Sequence, residues 1–416
     1  MKKRVKIAFF DAKPYDRAWF GAALRDSDFA ETEFEINYFE SKLSASTVKL
    51  AQGHDAVCAF VNDRVDRDVA AALEGFGIRL VALRCAGYNN VDLEAVWERI
   101  HVVRVPAYSP HAVAEHAAAL LQTLNRKVHV AYNRIRDGNF ALSGLVGRDL
   151  YGKTAGIIGT GKIGKILGRI LAGYGMKLLL SDPYPDEAFV ESINAMPGGQ
   201  ATYVDRDTLY RQSDVISLHC PLTPENRYMI NERSIALMKR EAIIVNTGRG
   251  GLIDTRALVE ALKTDRIRGA GLDVYEEEEL YFFEDWSMAP IRDDLLARLM
   301  QLPNVILTAH QAFLTEEALG EIARVTLANI SAWAAGKPLD NEICYHCEGT
   351  GKGAECVRES GAACWVDTAP PAVTSPAVPS DTEIAGRQVC RKPFSYESER
   401  FTDEDDTCAD GETPSD

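Results

Sequence analysis

The sequence has no long apolar run and no excess of basic residues. Its apolar stretches fall short of the roughly 18 residues that a membrane-spanning helix needs, and the run at residues 5–10 is too short for a signal peptide. The 416-residue chain carries 46 Lys and Arg against 61 Asp and Glu, a net charge of −15. Nucleic acids and anionic membranes bind basic surfaces. We therefore expect neither as a partner, and we expect a cytoplasmic protein.

Cysteine is scarce in most of the chain and concentrated near its end. Six of the nine cysteines follow residue 341, at positions 344, 347, 356, 364, 390 and 408. Residues 341–416 are also acidic and show little periodic apolar pattern, which is typical of disorder. Cys344 and Cys347 have the spacing of a zinc-binding pair, but Cys356 and Cys364 do not. We predict no metal site; a zinc knuckle, a redox-sensing segment and a segment without function remain alternatives.

The rest of the chain alternates short apolar runs with amphipathic segments. The runs predict strands at residues 5–10, 34–39, 56–60, 80–83, 102–105, 153–159, 177–181, 215–219, 243–246, 269–272 and 305–308. Helices are predicted near residues 15–25, from Ser109 onward and over residues 316–335. Buried strands separated by helices are typical of parallel sheets covered on both faces. The pattern therefore predicts an α/β fold, in a chain long enough for two domains.

A glycine-rich turn lies between a predicted strand and a helix. It contains Gly159, Gly161 and Gly164, and an apolar stripe of helical spacing begins at Ile163. Glycines at a helix N-terminus let backbone N–H groups approach a pyrophosphate. The next strand ends at Asp182, whose carboxylate could accept hydrogen bonds from a ribose diol and would repel a 2′-phosphate. The combination predicts NAD in preference to NADP; a glycine-rich turn without a ligand is the alternative.

Three polar residues lie at the ends of later apolar runs. They are Arg249, Glu278 and His310. An arginine can bind a carboxylate through two parallel hydrogen bonds, and a carboxylate can hold an imidazole in one tautomer so that it transfers protons. Together with a hydride donor, these three groups can reduce a 2-keto acid.

Each of these assignments has a structural alternative. The glutamate lies in an acidic run, residues 276–279, and such a run is usually a solvated loop. Asp254 is another candidate acid, but it precedes a helical pattern and fits a helix N-cap. Other histidines lie on or beside apolar elements, where hydrogen-bonded core or interface positions are usual. They are His111, His116, His129 and His219.

Together these motifs resemble the D-isomer-specific 2-hydroxyacid dehydrogenases and, within that family, the bacterial fermentative D-lactate dehydrogenases. The resemblance covers about residues 4–342 and rests on further stretches besides those already named. They are residues 83–92, 105–110, 114–117 and 218–226. An aromatic insertion at residues 280–286 favours the lactate branch over the phosphoglycerate branch, and it suggests a loop that packs over the coenzyme domain.

The resemblance implies two Rossmann-like or flavodoxin-like parallel-sheet domains, one inserted into the other. Residues 1–105 and 304–340 would form a discontinuous substrate-binding (catalytic) domain. Residues 106–303 would form the NAD-binding Rossmann domain, and residues 341–416 a disordered, cysteine-rich acidic tail. The active site would lie in the cleft between the domains. Family members assemble as dimers or dimers of dimers, so a homodimer or homotetramer is expected.

The resemblance also implies roles for individual residues. Arg249, Glu278 and His310 would be catalytic. NAD would be contacted by Gly159, Gly161, Lys162, Ile163, Gly164, Asp182, Cys220, Pro221, Asn226, Thr247, Gly248 and Asp273. The substrate would be contacted by Ala86, Gly87, Tyr108, Arg249 and Phe313, the first two through backbone N–H groups.

The implied activity is that of an NAD-dependent D-lactate dehydrogenase. This oxidoreductase would transfer hydride reversibly from NADH to the keto carbon of pyruvate, with His310 as acid and base, Glu278 paired with it, and Arg249 binding the substrate. Two alternatives stay open. Related enzymes reduce phenylpyruvate, 2-ketoisocaproate or hydroxypyruvate, and the same fold also serves as an NAD-sensing corepressor scaffold. The aromatic insertion and the lack of a basic segment favour the enzyme.

Overall fold

The computed structural model describes residues 2–26, 29, 31–343 and 345. Within them the chain forms two parallel sheets, each with helices packed against it. All six C-terminal cysteines, and with them the zinc-knuckle and redox alternatives, lie outside the described residues, as does the predicted disorder of residues 346–416.

The first sheet is built by the N-terminal part of the chain and has five parallel strands. They are β1 (Lys3–Phe9), β2 (Thr32–Tyr38), β3 (Ala56–Ala59), β4 (Leu80–Leu83) and β5 (His101–Val103), with helices α1 (Pro14–Asp26), α2 (Arg67–Gly75) and α3 (Leu93–Val96). Their order is β2-β1-β3-β4-β5. Strands β3 and β4 are buried along their whole length, as expected for parallel strands covered on both faces.

The second sheet follows helices α4 (Pro110–Arg126) and α5 (Val128–Arg136) and has seven parallel strands. They are β6 (Thr154–Ile158), β7 (Lys177–Ser181), β8 (Ala201–Tyr203), β9 (Val215–Leu218), β10 (Ile243–Asn246), β11 (Gly269–Leu272) and β12 (Val305–Leu307). The helices between them are α6 (Lys162–Gly173), α7 (Glu187–Asn194), α8 (Arg206–Gln212), α9 (Glu232–Leu237), α10 (Thr255–Lys263) and α11 (Asp294–Gln301). None of the helices in the described part of the chain is long and apolar enough to cross a membrane.

The last helix, α12 (Glu316–Ala334), returns to the first sheet. Its residues Leu327, Ile330 and Trp333 are buried in one core with Phe9 of β1 and Phe20 of α1. Amphipathic spacing predicted this helix, and the core it shares with β1 shows which sheet it covers.

Two predicted domain boundaries lie too early in the chain. Strand β12 pairs with β11 in the second sheet, so that sheet extends beyond the predicted end at residue 303. At the other boundary, the Ile343 N–H donates to the Val102 carbonyl oxygen over 2.8 Å, and the Ile343 side chain is buried in the first core. Residues 341–343 therefore belong to the folded body and not to the tail, because their backbone pairs with β5.

The order of strands in the second sheet creates a crevice. Across the sheet the order is β12-β11-β10-β9-β6-β7-β8, so the chain runs outward from β6 to β8 and then returns to the other side of β6 at β9. At such a reversal the loops at the carboxyl ends of the two central strands diverge, and ligands of parallel α/β sheets bind there. The loops after β6, β9, β10, β11 and β12 all leave this edge.

Candidate active site

The glycine-rich turn joins β6 to α6, as predicted. Gly159 has a φ of +93°, and a Cβ on it would lie 2.5 Å from the backbone nitrogen of Cys220. A Cβ on Gly164 would lie 2.0 Å from the carbonyl oxygen of Gly159. Both positions therefore require glycine. Gly161 precedes α6, and apart from its chain neighbours no atom of the described residues lies within 4 Å of its Cβ position. A helix N-terminus with open space beside it is what a pyrophosphate requires.

Asp182 follows β7 directly and lies beside this turn. Its Oδ2 accepts a hydrogen bond from the Thr160 N–H over 2.6 Å, and its Oδ1 accepts one from the Tyr184 N–H over 2.9 Å. The side chain is partly exposed. Because a carboxylate has about four acceptor sites, ribose hydroxyls can still donate to it. The arrangement fits NAD.

Thr160 and Tyr203 support the turn, although no pattern in the sequence pointed to them. The Thr160 and Tyr203 hydroxyl groups lie 2.8 Å apart, and the Tyr203 hydroxyl accepts a hydrogen bond from the Asp186 N–H over 2.9 Å. Tyr203 belongs to β8, which lies at the edge of the sheet and, among the described strands, pairs only with β7. Its contact with the turn depends on strand order, which no local motif contains.

Glu278 and His310 are in direct contact. The Nδ1 atom of His310 lies 2.7 Å from Oε1 of Glu278, and both side chains are 20% exposed. The other carboxylate oxygen, Oε2, accepts a hydrogen bond from the Tyr275 N–H over 3.0 Å. Glu278 comes from the loop after β11 and His310 from the loop after β12, so pairing of these two strands brings them together.

The other candidate acids have different surroundings. Glu276 accepts a hydrogen bond from the Tyr228 hydroxyl over 2.7 Å, and Glu277 and Glu279 are exposed. Asp254 caps helix α10, where its side chain accepts from the backbone N–H of the third helical residue. Among these acids, Glu278 is therefore the one whose carboxylate meets His310.

Arg249 follows β10 and points across the cleft toward the first sheet. Its Nη1 donates to the carbonyl oxygen of Gly248 over 2.8 Å, and its backbone oxygen accepts from the Asn246 side chain over 2.9 Å. A Cβ on Gly87, in the loop after β4, would lie only 3.1 Å from Nη2 of Arg249. The guanidinium is thus fixed by its own loop, and it lies close to the loop after β4.

The structure places Asp273 differently from its predicted role as a contact of NAD. Its side chain is fully buried, and it accepts hydrogen bonds from Thr308 Oγ1 over 2.5 Å and from the N–H groups of Gln311 and Ala312 over 2.9 Å each. Burial alone would raise the pKa of this carboxyl, but hydrogen bonds, the first of them from His116, lower it. A carboxylate used in this way fixes the loop that carries the catalytic candidate histidine; it does not face the cleft.

Most of the predicted residues line one cleft of about 480 Å³. Those that do are Ala86, Gly87, Tyr108, Ile163, Cys220, Pro221, Thr247, Gly248, Arg249, His310 and Phe313. The Oγ1 atom of Thr247 is buried and has no hydrogen-bond partner within the described residues. Such an atom fits a site that is completed by a ligand.

Seven predicted contacts of NAD lie outside this lining; they are Gly159, Gly161, Lys162, Gly164, Asp182, Asn226 and Asp273. The Asn226 side chain accepts from the Thr223 N–H over 2.8 Å and donates to the Pro221 carbonyl oxygen over 2.7 Å. It therefore closes the loop that carries Cys220 and Pro221. Lys162 is exposed on the first turn of α6.

Seven residues that line the cleft were not among the predicted site residues; they are Tyr88, Asn89, Arg104, Val113, His219, Leu222 and Ala312. His219 is partly buried, with its Nε2 atom 2.8 Å from Ser217 Oγ, and burial of the ring lowers its pKa to about 4, so it is neutral at pH 7. Arg104 donates to the Ala86 carbonyl oxygen over 3.1 Å, and its guanidinium lies 5.0 Å from the ring centroid of Tyr88. No motif marked Arg104, because its place follows from the pairing of β4 with β5.

The chain was compared with known proteins. Residues 118–312 match the family model for the D-isomer specific 2-hydroxyacid dehydrogenase, NAD binding domain. The chain is 50% identical over 340 residues to the D-lactate dehydrogenase of Escherichia coli strain K12, a match that covers 82% of this chain and 100% of that protein. It is also similar to the structure of the pyruvate reductase of Chlamydomonas reinhardtii, with a TM-score of 0.75 and 40% identity over 81% of this chain and 98% of the other. The NAD-complexed D-isomer-specific 2-hydroxyacid dehydrogenase from Lactobacillus delbrueckii ssp. bulgaricus has a TM-score of 0.67 and 30% identity, over 81% of this chain and 99% of the other.

Proposed function

Because the chain belongs to the D-isomer-specific 2-hydroxyacid dehydrogenase family, we propose that it reduces pyruvate to D-lactate reversibly, as an NAD-dependent D-lactate dehydrogenase. It is an oxidoreductase with an NAD-binding domain. The observation that carries the proposal is the 2.7 Å contact between His310 and Glu278, in the cleft that Arg249 also lines. The names of the E. coli and Chlamydomonas relatives support pyruvate as the substrate.

His310 is the proposed proton donor to the oxygen of the keto group. Its Nδ1 is engaged by Glu278, so Nε2 is the ring nitrogen left to exchange a proton with the substrate. Glu278 is itself oriented by the Tyr275 N–H, which makes the pair rigid. A general acid held in one tautomer and one orientation needs no rearrangement before it donates its proton.

Arg249 is the proposed ligand of the substrate carboxylate. A guanidinium presents parallel N–H donors that match a carboxylate, and its charge also stabilises the oxygen on which negative charge develops. The backbone of Ala86 and Gly87 lines the same part of the cleft. Since a side chain on Gly87 would crowd Nη2 of Arg249, glycine at this position leaves space for the carboxylate. Tyr108 and Phe313 are proposed to line the other side of the substrate.

The second sheet with its glycine-rich turn is the proposed coenzyme domain, and the first sheet with α12 the proposed substrate-binding domain. NADH supplies the hydride when it is bound. Its proposed contacts are Gly159, Gly161, Lys162, Ile163, Gly164, Asp182, Cys220, Pro221, Thr247 and Gly248. Open space at Gly161, the partly exposed carboxylate of Asp182 and the unpartnered hydroxyl of Thr247 support this assignment within the described residues.

We further propose that the protein works in the cytoplasm as a homodimer or homotetramer assembled through the coenzyme domain. Helix α5 has no buried residue, and the segment after it exposes Phe140, Leu142 and Val146 by 75%, 79% and 78%. Large apolar side chains exposed together on one segment indicate an interaction site. We call residues 128–151 the arm, and a second copy of the chain is its proposed partner.

The activity is tested by NADH oxidation on addition of pyruvate, with phenylpyruvate, 2-ketoisocaproate and hydroxypyruvate alongside. His310→Ala should lower turnover by about 10²–10⁴-fold, the contribution of a general acid, and leave NADH binding intact. In the reverse direction, D-lactate and not L-lactate should reduce NAD. If no 2-keto acid is reduced above background, the enzyme proposal fails and the NAD-sensing scaffold takes its place.

A further inference from the structure

The aromatic insertion at residues 280–286 contacts both parts of the molecule. Phe282 is buried in the core of the second sheet, together with Tyr275. The next residue, Phe283, packs against the core of the first sheet as well. The sequence predicted a loop over the coenzyme domain alone, which holds for Phe282 but not for Phe283. The insertion therefore reaches across the cleft.

Phe283 is held in an unusual conformation beside the proposed proton donor. Its φ is +68°, a value that bulky residues rarely adopt. Its ring centroid lies 5.4 Å from that of Phe60 in an edge-to-face contact and 6.1 Å from that of His310. Because this backbone conformation is unfavourable for phenylalanine, the surrounding contacts must determine it.

Further contacts fix the insertion on the substrate side. The Glu284 carboxylate lies 3.1 Å from the Lys42 ammonium group and 3.7 Å from that of Lys13. The Asn62 side chain donates to the Phe282 carbonyl oxygen over 3.4 Å. These contacts flank Phe283 on both sides in the chain, so its ring is a fixed wall and not a freely moving side chain.

A small cavity lies between this ring and the proposed substrate site. Its volume is about 30 Å³, which is room for a single small group. Its aromatic walls are Phe60, Tyr108, Phe283 and Phe313, and it also borders Cys85 and His310. It shares Tyr108, His310 and Phe313 with the larger cleft, so the two cavities adjoin each other.

We propose that Phe283 sets the upper size limit for the substituent on the keto carbon of the substrate. The inference rests on the proposed function, in which Arg249 holds the carboxylate and His310 faces the keto oxygen. The remaining substituent is then directed to the small cavity, whose walls are mostly aromatic and aliphatic, with Arg84 and His310 also bordering it. A methyl group fills a space of this size. Any longer chain must displace the ring of Phe283, which both cores and the Glu284 contacts hold in place.

The test compares Phe283→Ala with the wild-type chain on 2-keto acids of increasing length. The readout is the ratio of kcat/KM for pyruvate to kcat/KM for 2-oxobutanoate, which has one more methylene, and for 2-oxopentanoate. One methylene in an apolar pocket changes kcat/KM by about 10–200-fold. We expect the ratio for 2-oxobutanoate to fall at least tenfold in Phe283→Ala and by less in Phe283→Leu, which keeps part of the wall.

Tyr281→Ala is the matched control. Tyr281 lies in the same insertion, but its ring contacts Trp286, with centroids 5.4 Å apart, and it packs against the core of the second sheet. The control should therefore leave the ratio unchanged. Thermal unfolding of all three variants shows whether each is folded. If Phe283→Ala is not folded, the test is made with Phe283→Leu.

The outcomes separate the two proposals. A wild-type chain that reduces pyruvate, with an unchanged ratio in folded Phe283 variants, overturns the role of Phe283 and leaves the dehydrogenase intact. If kcat/KM fell equally for every acid, Phe283 would help to position His310 and would not limit the size of the substrate, so the proposal for Phe283 would be overturned. A wild-type chain that reduces none of the acids overturns the proposed function itself.

Discussion

Replacement of Asp273 by asparagine tests how His310 is held in place. The buried carboxylate accepts hydrogen bonds from Thr308 Oγ1 and from the N–H groups of Gln311 and Ala312, and the Asp273 carbonyl oxygen accepts from the His310 N–H over 2.7 Å. His310 has a φ of +51°, which is uncommon for a residue other than glycine. The hydrogen bonds on both sides of His310 therefore maintain a backbone that would otherwise relax.

The size of the effect follows from the donors that lose an acceptor. Asparagine keeps one oxygen, and its amino group cannot accept a hydrogen bond. In either orientation, the N–H of Gln311 or of Ala312 then faces another donor. A buried donor without a partner costs about 1–3 kcal/mol, and the free energy of unfolding should fall by that amount. If the loop shifts by about 1 Å, turnover should fall roughly 100-fold.

Three measurements on Asp273→Asn check this account. Urea denaturation gives the free energy of unfolding, steady-state kinetics with pyruvate give kcat, and NADH fluorescence gives the Kd for the cofactor. We expect losses in the first two and a Kd close to that of the wild type. Asp214→Asn is the control. The Asp214 side chain also accepts a hydrogen bond from a backbone N–H, that of Thr154, but it does so at the amino ends of the strands, away from the cleft. Wild-type kcat in Asp273→Asn would refute the positioning role, and a weakened Kd with normal kcat would restore Asp273 as a contact of NAD.

The same variant should change how the free energy of unfolding depends on pH in acid solution. The folded-state pKa of Asp273 lies below its ordinary value, so the stability that its carboxylate contributes is complete above the unfolded pKa of about 3.9. That contribution is lost as the pH falls from there through the folded pKa. Asp273→Asn lacks this contribution, so its unfolding free energy should fall less steeply below about pH 4. If the free energy of unfolding fell equally steeply below pH 4 in the wild type and in Asp273→Asn, the lowered pKa of Asp273 would be contradicted.

Three further substitutions test the cofactor site, the substrate site and the arm. Arg249→Lys should lower kcat/KM for pyruvate about 10–100-fold in steady-state assays, because an ammonium group cannot reproduce the two parallel hydrogen bonds; an unchanged value would place the carboxylate elsewhere. Asp182→Ser should weaken NADH binding and bring NADH and NADPH affinities closer together, since the repulsive charge is lost; a retained preference for NADH would remove Asp182 from cofactor selection. Leu142→Glu should shift the chain toward monomer in sedimentation velocity if the arm joins subunits, whereas an unchanged oligomer would exclude the arm from the interface.

Local patterns in the sequence predicted eleven of the twelve strands that the described residues form, though not β8, and most of the cleft. The spacing of Gly159, Gly161 and Gly164 was enough to predict the turn, because the strand, the turn and the helix follow one another directly in the chain. The family resemblance selected Glu278 from its acidic neighbours, and in the described structure the Glu278 carboxylate lies against His310. Strands predicted from apolar runs differ from the observed ones mainly at their ends.

The features that the sequence did not predict depend on contacts between distant segments. Tyr203 meets Thr160 only because β8 lies beyond β7 in the sheet. Asp273 looked like a cofactor ligand by motif, and only the folded loop shows its hydrogen bonds with Gln311 and Ala312. Phe283 gave no sign that it would reach the opposite domain. In each case the partner is fixed by the order of strands or by domain placement, which spacing along the chain does not encode.

The trio of Arg249, Glu278 and His310 comes from the loops after β10, β11 and β12, whereas the glycine-rich turn and Asp182 follow β6 and β7 on the other side of the sheet. Strand β12 is short and lies at the edge of the sheet, where its one partner within the described part of the chain is β11. Edge elements open locally before the centre of a sheet does. Local opening of β12 on gentle heating should therefore separate His310 from Glu278 and stop turnover, and it should leave the glycine-rich turn after the central strand β6 in place.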